Sequence, residues 1–165
     1  FATDHRINYG VIGFGGRIND RAAEDTSLSE EDVERLDTIL WRSLKNQTVT
    51  RSKSGQQPRL YLRVEYETDG FEIGRLNDRI DVFSDLPDDE IRGTDDFKLD
   101  VSELVTTLSE NSSQIKTFHV TADSAVEFAF ADGETGDRSD LYAALTDAVG
   151  EGAVDAYDVY ERYAE

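Results

Sequence analysis

The sequence predicts an α+β domain, an antiparallel sheet with helices on one face. Three observations carry this. Apolar residues alternate over 59–67, as in a half-buried strand. Apolar residues recur at helical spacing over 28–46 and again over 101–112. The segments follow one another as strand, helix, strand, strand, helix, strand, which sets two helices across a mostly antiparallel sheet.

Residues 6–18, RINYGVIGFGGRI, read as the first strand, with Ile7, Tyr9 and Val11 in alternation. The glycines that follow mark a bulge or a close backbone approach. The run GFGG resembles an aromatic RNA-binding strand motif over too few residues to count. Residues 28–46 read as the first helix. Ser29 and Asp32 form a capping-box pattern, and Leu28 with Val33 suits a hydrophobic staple. Val33, Leu36, Leu40 and Leu44, with Ile39 beside them, are the expected inward face. Acids crowd its first turns and Arg42 and Lys45 its last, as the helix dipole favours. Trp41 is read as packing.

Residues 47–58 form a polar loop and 59–67 a strand. In that strand Leu60, Leu62, Val64 and Tyr66 point one way, and Arg59, Tyr61, Arg63, Glu65 and Glu67 the other. Asp69-Gly70 is a hairpin signal leading to a short strand at 71–74. Residues 76–98 read mostly as loop. Asp100 and Glu103 open a second helix, 101–112, whose inner face is Val101, Leu104, Val105 and Leu108. Strands are expected at 115–121 and 125–130, a turn at Asp132-Gly133, and helices near 140–149 and 153–164. Tyr157, Tyr160 and Tyr163 on the last helix are read as sealing a core edge, with a neighbouring subunit as the alternative. This order is the ferredoxin-like plan, which the RNA-recognition domain shares.

Composition narrows the chemistry. Without cysteine there is no disulfide, thiolate metal site or cysteine nucleophile, and two histidines make a metal centre improbable. Neither histidine sits in a nucleophile-base motif, no phosphate-binding glycine loop is present, and carboxylate pairs carry no information among 36 acids. The expectation is a protein that is not an enzyme and holds no cofactor. No run approaches the 18 apolar residues of a membrane span, so no membrane partner and a cytoplasmic setting are expected. The chain starts at Phe1 and contains no methionine, which points to a piece of something longer.

The formal net charge is −19, with acids dispersed along the chain and arginine far commoner than lysine. That pattern belongs to proteins of concentrated salt, where the Debye length falls to about 3 Å at 1 M. Salt also weakens binding driven by counterion release. A nucleic-acid partner must then be held by short hydrogen bonds and stacking. One stretch departs from the acidic pattern. From Arg42 to Val64 there are six positive residues and no Asp or Glu. Arg42, Lys45, Arg51, Lys53, Arg59 and Arg63 supply the charge; Ser52 and Gln56 add neutral hydrogen-bonding groups. Such a set can grip phosphate oxygens. Tyr61, flanked by two arginines, can stack a base on an open face. A solvated loop and an ordinary polar sheet face explain the same residues, and so does the fact that some stretch of an acidic chain is the least acidic.

The segments HRINYGVIGFGGRIN, AAEDTSLSEEDVERLDTILW, TRSKSGQQPRLYLRVEY and DGFEIGRL, spanning roughly 5–76, resemble a known family. The chain is similar to the C-terminal half of the Cas7 backbone subunit of type I-B CRISPR effector complexes, the Csh2 group, of haloarchaeal type. The resemblance implies an RNA-recognition-like core, one domain over 1–165 that is half of a larger RAMP subunit. It implies a non-catalytic, antiviral role in Cascade. The partners it implies are the guide crRNA, further copies in a helical filament, Cas5 and other subunits, and target DNA through the crRNA. It makes Arg51, Lys53 and Arg59 phosphate or neighbour contacts, with Ser52 and Gln56 as donors. A second reading without RNA is a halophilic scaffold whose positive island docks an acidic partner.

Overall fold

The computed structural model describes residues 9–47 and 55–162. Two helices open the described chain, α1 (Asp20–Thr26) and α2 (Glu30–Lys45). The capping box of α2 forms as expected. Ser29 Oγ accepts from Asp32 N, and the Asp32 carboxylate accepts from Ser29 N and Oγ. Then come β1 (Leu60–Tyr66), β2 (Asp81–Phe83), β3 (Lys98–Asp100) and α3 (Ser102–Glu110). The order closes with β4 (Ile115–Ala122), β5 (Glu127–Ala129), β6 (Thr135–Gly136), α4 (Arg138–Val149), β7 (Val154–Ala156) and α5 (Val159–Arg162).

The fold is α+β and fits the ferredoxin-like plan. Its strands form two small mixed sheets, β1-β4-β7 and β2-β3-β5-β6. Among the described residues two of the five pairings, β3/β5 and β4/β7, are parallel. Parallel neighbours need a long crossover, and the β4-to-β7 connection contains α4. The apolar face of β1 and β4 pairs Leu60 with Ala122, Leu62 with Val120 and Val64 with Phe118. Phe118, Val120, Leu104, Leu108, Leu141 and Leu145 are wholly buried there, where α3 and α4 pack together.

The opposite face of that sheet is not open. Asp37 of α2 bonds to Tyr61 and Arg63 of β1, and Tyr157 and Arg162 close over it from the chain's last segment. Helices therefore lie on both of its faces. The expected inward stripe of α2 is rotated: Asp37, Thr38 and Trp41 are buried, and Ile39 and Leu40 are exposed.

Three expected elements differ for local reasons. The described part of the 6–18 strand, Tyr9 onward, joins no backbone ladder among the described residues, and Val11, Ile12, Phe14 and Ile18 are exposed. Residues 71–74 are not a strand, because Ile73 N donates to the Tyr66 hydroxyl and Gly74 takes a left-handed φ of 93°. The final helix begins late. Its first residues are captured by the edge of β4, with Phe118 N donating to Ala153 O and Tyr157 N to Val120 O.

Candidate nucleic-acid interface

The acid-free stretch folds into a helix end and a strand that meet. Lys45, near the end of α2, and Gln57 and Pro58, just before β1, line one cleft with Trp41. Arg42 lies one turn earlier on α2 and is exposed. Among the described residues neither Arg42 nor Lys45 has a carboxylate within ion-pair distance. Lys45 Nζ stands 4.7 Å from the Tyr160 ring centroid, and its hydrogen bond to Tyr160 holds the ammonium above the usual lysine range. Gln56 is half-buried. Arg51, Ser52 and Lys53 lie outside the described residues.

The strand's own cations are held differently. Arg59 donates to Asp123, and both side chains are about one-quarter exposed. Arg63 is bidentate on Asp37, Nε to Oδ1 at 2.6 Å and Nη2 to Oδ2 at 2.9 Å, and reaches Glu65 at 2.6 Å through Nη1. Burial opposes the charge on Arg63, but its two carboxylates outweigh burial and raise its pKa. Tyr61 donates to Asp37 Oδ1 at 2.9 Å. Burial first, and then the Asp37 charge, push its phenol well above the usual range.

Behind them stands a row that pattern reasoning missed. Arg63, His119 and Asp155 are register partners across β1, β4 and β7. His119 Nδ1 is 2.7 Å from Asp155 Oδ2, and Nε2 is 3.2 Å from Glu65 Oε1. Arg162 donates to Asp155 and stacks 3.7 Å over the Tyr157 ring. The Tyr157 hydroxyl donates to Asp37 O at 2.7 Å. Burial pushes the Glu65 and Asp155 carboxyls up. The hydrogen bonds and charges of Arg63 and His119 on Glu65, and of Arg162 and His119 on Asp155, more than reverse this, so both end below the usual carboxylate range. Asp37 is 1% exposed. A carboxylate that buried persists only when it is paired and hydrogen-bonded; here Tyr61 and Arg63 hydrogen-bond it, and His119 and Arg162 stand 3.8 and 3.9 Å away. Trp41 was the sequence signal for it. An aromatic four residues on shares the Asp37 stripe, and that stripe turns inward.

The network is a structural clamp by its chemistry: it presents no nucleophile to solvent and ties α2 to the sheet. Among the described residues no group of three or more His, Asp or Glu side chains is placed to hold a metal ion. Among the described residues no helix is long and apolar enough to cross a membrane. The family model described as CRISPR-associated protein Cas7 matches residues 1–102. The chain belongs to the Cas7 family. It is 42% identical over 158 residues to a CRISPR-associated protein Cas7 of Haloferax volcanii, covering 96% of this chain and 44% of the relative. The chain thus spans less than half the length of that Cas7 protein.

Proposed function

We propose that the chain is half of a larger, non-catalytic Cas7-family subunit that binds guide crRNA and polymerises along it in the cytoplasm. In this reading it works beside Cas5 and the other Cascade subunits and meets target DNA through the crRNA. One observation carries the reading. In a chain of net charge −19, Arg42 and Lys45 stand exposed, without a carboxylate partner among the described residues, and in the sequence they shortly precede Arg51, Ser52 and Lys53. Asp123 and Asp158 line the cleft beside Lys45 but neither forms an ion pair with it among the described residues, so both cations can reach phosphate oxygens. Gln56 adds a neutral donor. Tyr61 and Arg63 serve from beneath by fixing the middle of α2 to the sheet through Asp37.

The test is guide-RNA retention by the full-length protein in its assembled complex. Changing Arg42, Lys45, Arg51 and Lys53 to Ala lowers retention uniformly across guide sequences; unchanged retention overturns the reading. A second reading has its own support. Arg59 and Arg63 already bind carboxylates of this chain, so the island is chemically able to dock an acidic protein face. Nuclease treatment parts the two, since it dissolves an RNA-held assembly and spares a protein-held one.

A further inference from the structure

We infer that His119 carries a proton on both ring nitrogens in the folded protein, and that this second proton latches the last segment, β7 and α5, to the sheet, so that rising pH frees that segment. Both nitrogens face carboxylate oxygens. Nδ1 lies 2.7 Å from Asp155 Oδ2 and 3.8 Å from Asp37 Oδ2, and Nε2 lies 3.2 Å from Glu65 Oε1. A neutral imidazole has one N–H and one lone pair, so one nitrogen would turn a lone pair toward an ionised carboxylate. An imidazolium donates to both sides. Glu65 and Asp155 do not supply the missing proton themselves. Burial raises both, yet hydrogen bonds from Arg63 and Arg162 hold them below the usual carboxylate range.

Charge balance calls for the same proton. Around His119, α2 contributes Asp37, β1 contributes Arg63 and Glu65, β7 contributes Asp155 and α5 contributes Arg162. Among the described residues that sets three carboxylates against two guanidiniums. Lys116, on β4 itself, stands outside the cluster, 62% exposed and 3.7 Å from the other oxygen of Glu65. Tyr61 and Tyr157 bond to Asp37 through neutral hydroxyls, which burial keeps protonated. Asp37 is 1% exposed and the His119 side chain 13%, and an unbalanced charge so far from water is costly. The imidazolium is the third cation. Its position makes it a latch. His119 and Asp155 are register partners across the parallel pairing of β4 with the three residues of β7. Arg162 returns from α5 to the same Asp155. Loss of the proton breaks a side-chain bond between β4 and β7 and leaves the cluster net negative. Above the ordinary histidine value of about 6.5 the freed segment gives up a proton that the docked segment keeps. Docking is therefore fully supported below that pH and weakens as pH rises, by up to about tenfold per pH unit.

The experiment uses the full-length protein with nitrogen-15 in its histidines, the His119 ring being assigned through Phe118 and Val120. At neutral pH both of its ring nitrogens give N–H signals. A lone-pair signal from either nitrogen at that pH overturns the inference. Hydrogen exchange is then followed from about pH 6.5 to about pH 9, each rate being divided by the intrinsic rate at that pH. Residues 154–162 open more often as pH rises, by up to about tenfold per unit, while residues 102–110 of α3 hold steady. In His119→Gln, whose uncharged amide has a single donor atom, 154–162 already open often at the lowest pH and show no slope. A flat profile in the unmodified protein overturns the latch, and so does a slope that survives in His119→Gln. Opening of 102–110 together with 154–162 also overturns it, because the transition is then global. If His119→Gln does not fold, the ring signals and the exchange profile of the unmodified protein decide the matter.

Discussion

The two faces of the β1-β4-β7 sheet are built from opposite materials. On one, Leu62, Val64, Phe118 and Val120 meet α3 and α4 through apolar contact, with one hydrogen bond from Ala122 N to the Tyr142 hydroxyl at its margin. On the other, Arg63, His119 and Asp155 meet α2 and α5 through ion pairs and hydrogen bonds around a buried Asp37. Apolar contact is non-directional and tolerates small shifts. A buried, hydrogen-bonded charge cluster does not, because a misplaced partner leaves an unsatisfied charge. The apolar face holds the domain together, and the polar face fixes where the cationic end of α2 stands.

The largest expected effect breaks the apolar side. Phe118→Ala removes a wholly buried ring and costs about 4 kcal/mol, read by chemical denaturation, with little change across pH. A loss below about 1 kcal/mol shows that this face is not the main core.

The polar side answers next. Asp37→Ala costs about 3 kcal/mol, because Arg63 is left buried without its main partner and two tyrosine hydroxyls lose an acceptor or its setting. The double change Asp37→Leu with Arg63→Met recovers most of that loss, since a well-packed apolar pair replaces a buried ion pair at little net cost. If the two single losses simply add in the double variant, the side chains are not coupled.

Acid separates the faces more gently. Glu65 and Asp155 have lowered pKa values, so each adds stability that is fully present above the unfolded carboxylate pKa of about 4. That stability is lost as pH falls through the lower folded values. The denaturation midpoint should drop as pH falls below about 4. The doubly substituted Glu65→Gln, Asp155→Asn protein should show a flatter profile. Identical profiles mean that the acid sensitivity arises elsewhere among the chain's many carboxylates.

Legibility in the sequence follows the same division. The inner face of α3, the strand at β4 and the turn at Gly133 were readable, because apolar spacing reports burial directly and Gly133 holds a positive φ of 81° that a hairpin favours. The capping box of α2 was equally local. The inward stripe of α2 left one sign in the sequence, Trp41, and its polar members left none. Asp37 and Thr38 are buried because Arg63, Tyr61 and Tyr157 arrive from 24 to 120 residues away, and no local period encodes that. Residues 154–156 looked helical in isolation and became a strand because β4 offered an open edge. The acid-free stretch was visible from charge alone; which of its cations are engaged was not, since Asp37 and Asp123 lie outside it.

The smallest structural effect tests that last distinction. Arg42 and Arg63 belong to the same acid-free stretch, yet one is exposed without a carboxylate partner among the described residues and the other is bidentate on a buried carboxylate. Arg42→Ala should therefore change stability by less than about 0.5 kcal/mol, as exposed substitutions away from special features do. Arg63→Ala should destabilise the domain outright, by about 3 kcal/mol, and any effect it has on RNA should follow from displacement of α2. If Arg42 touches a phosphate, its removal weakens guide-RNA retention at every guide sequence and lowers the salt dependence of binding by one contact's share. An Arg42→Ala protein that melts early, or that keeps full retention with an unchanged salt slope, removes the distinction between engaged and available cations on which the interface is drawn.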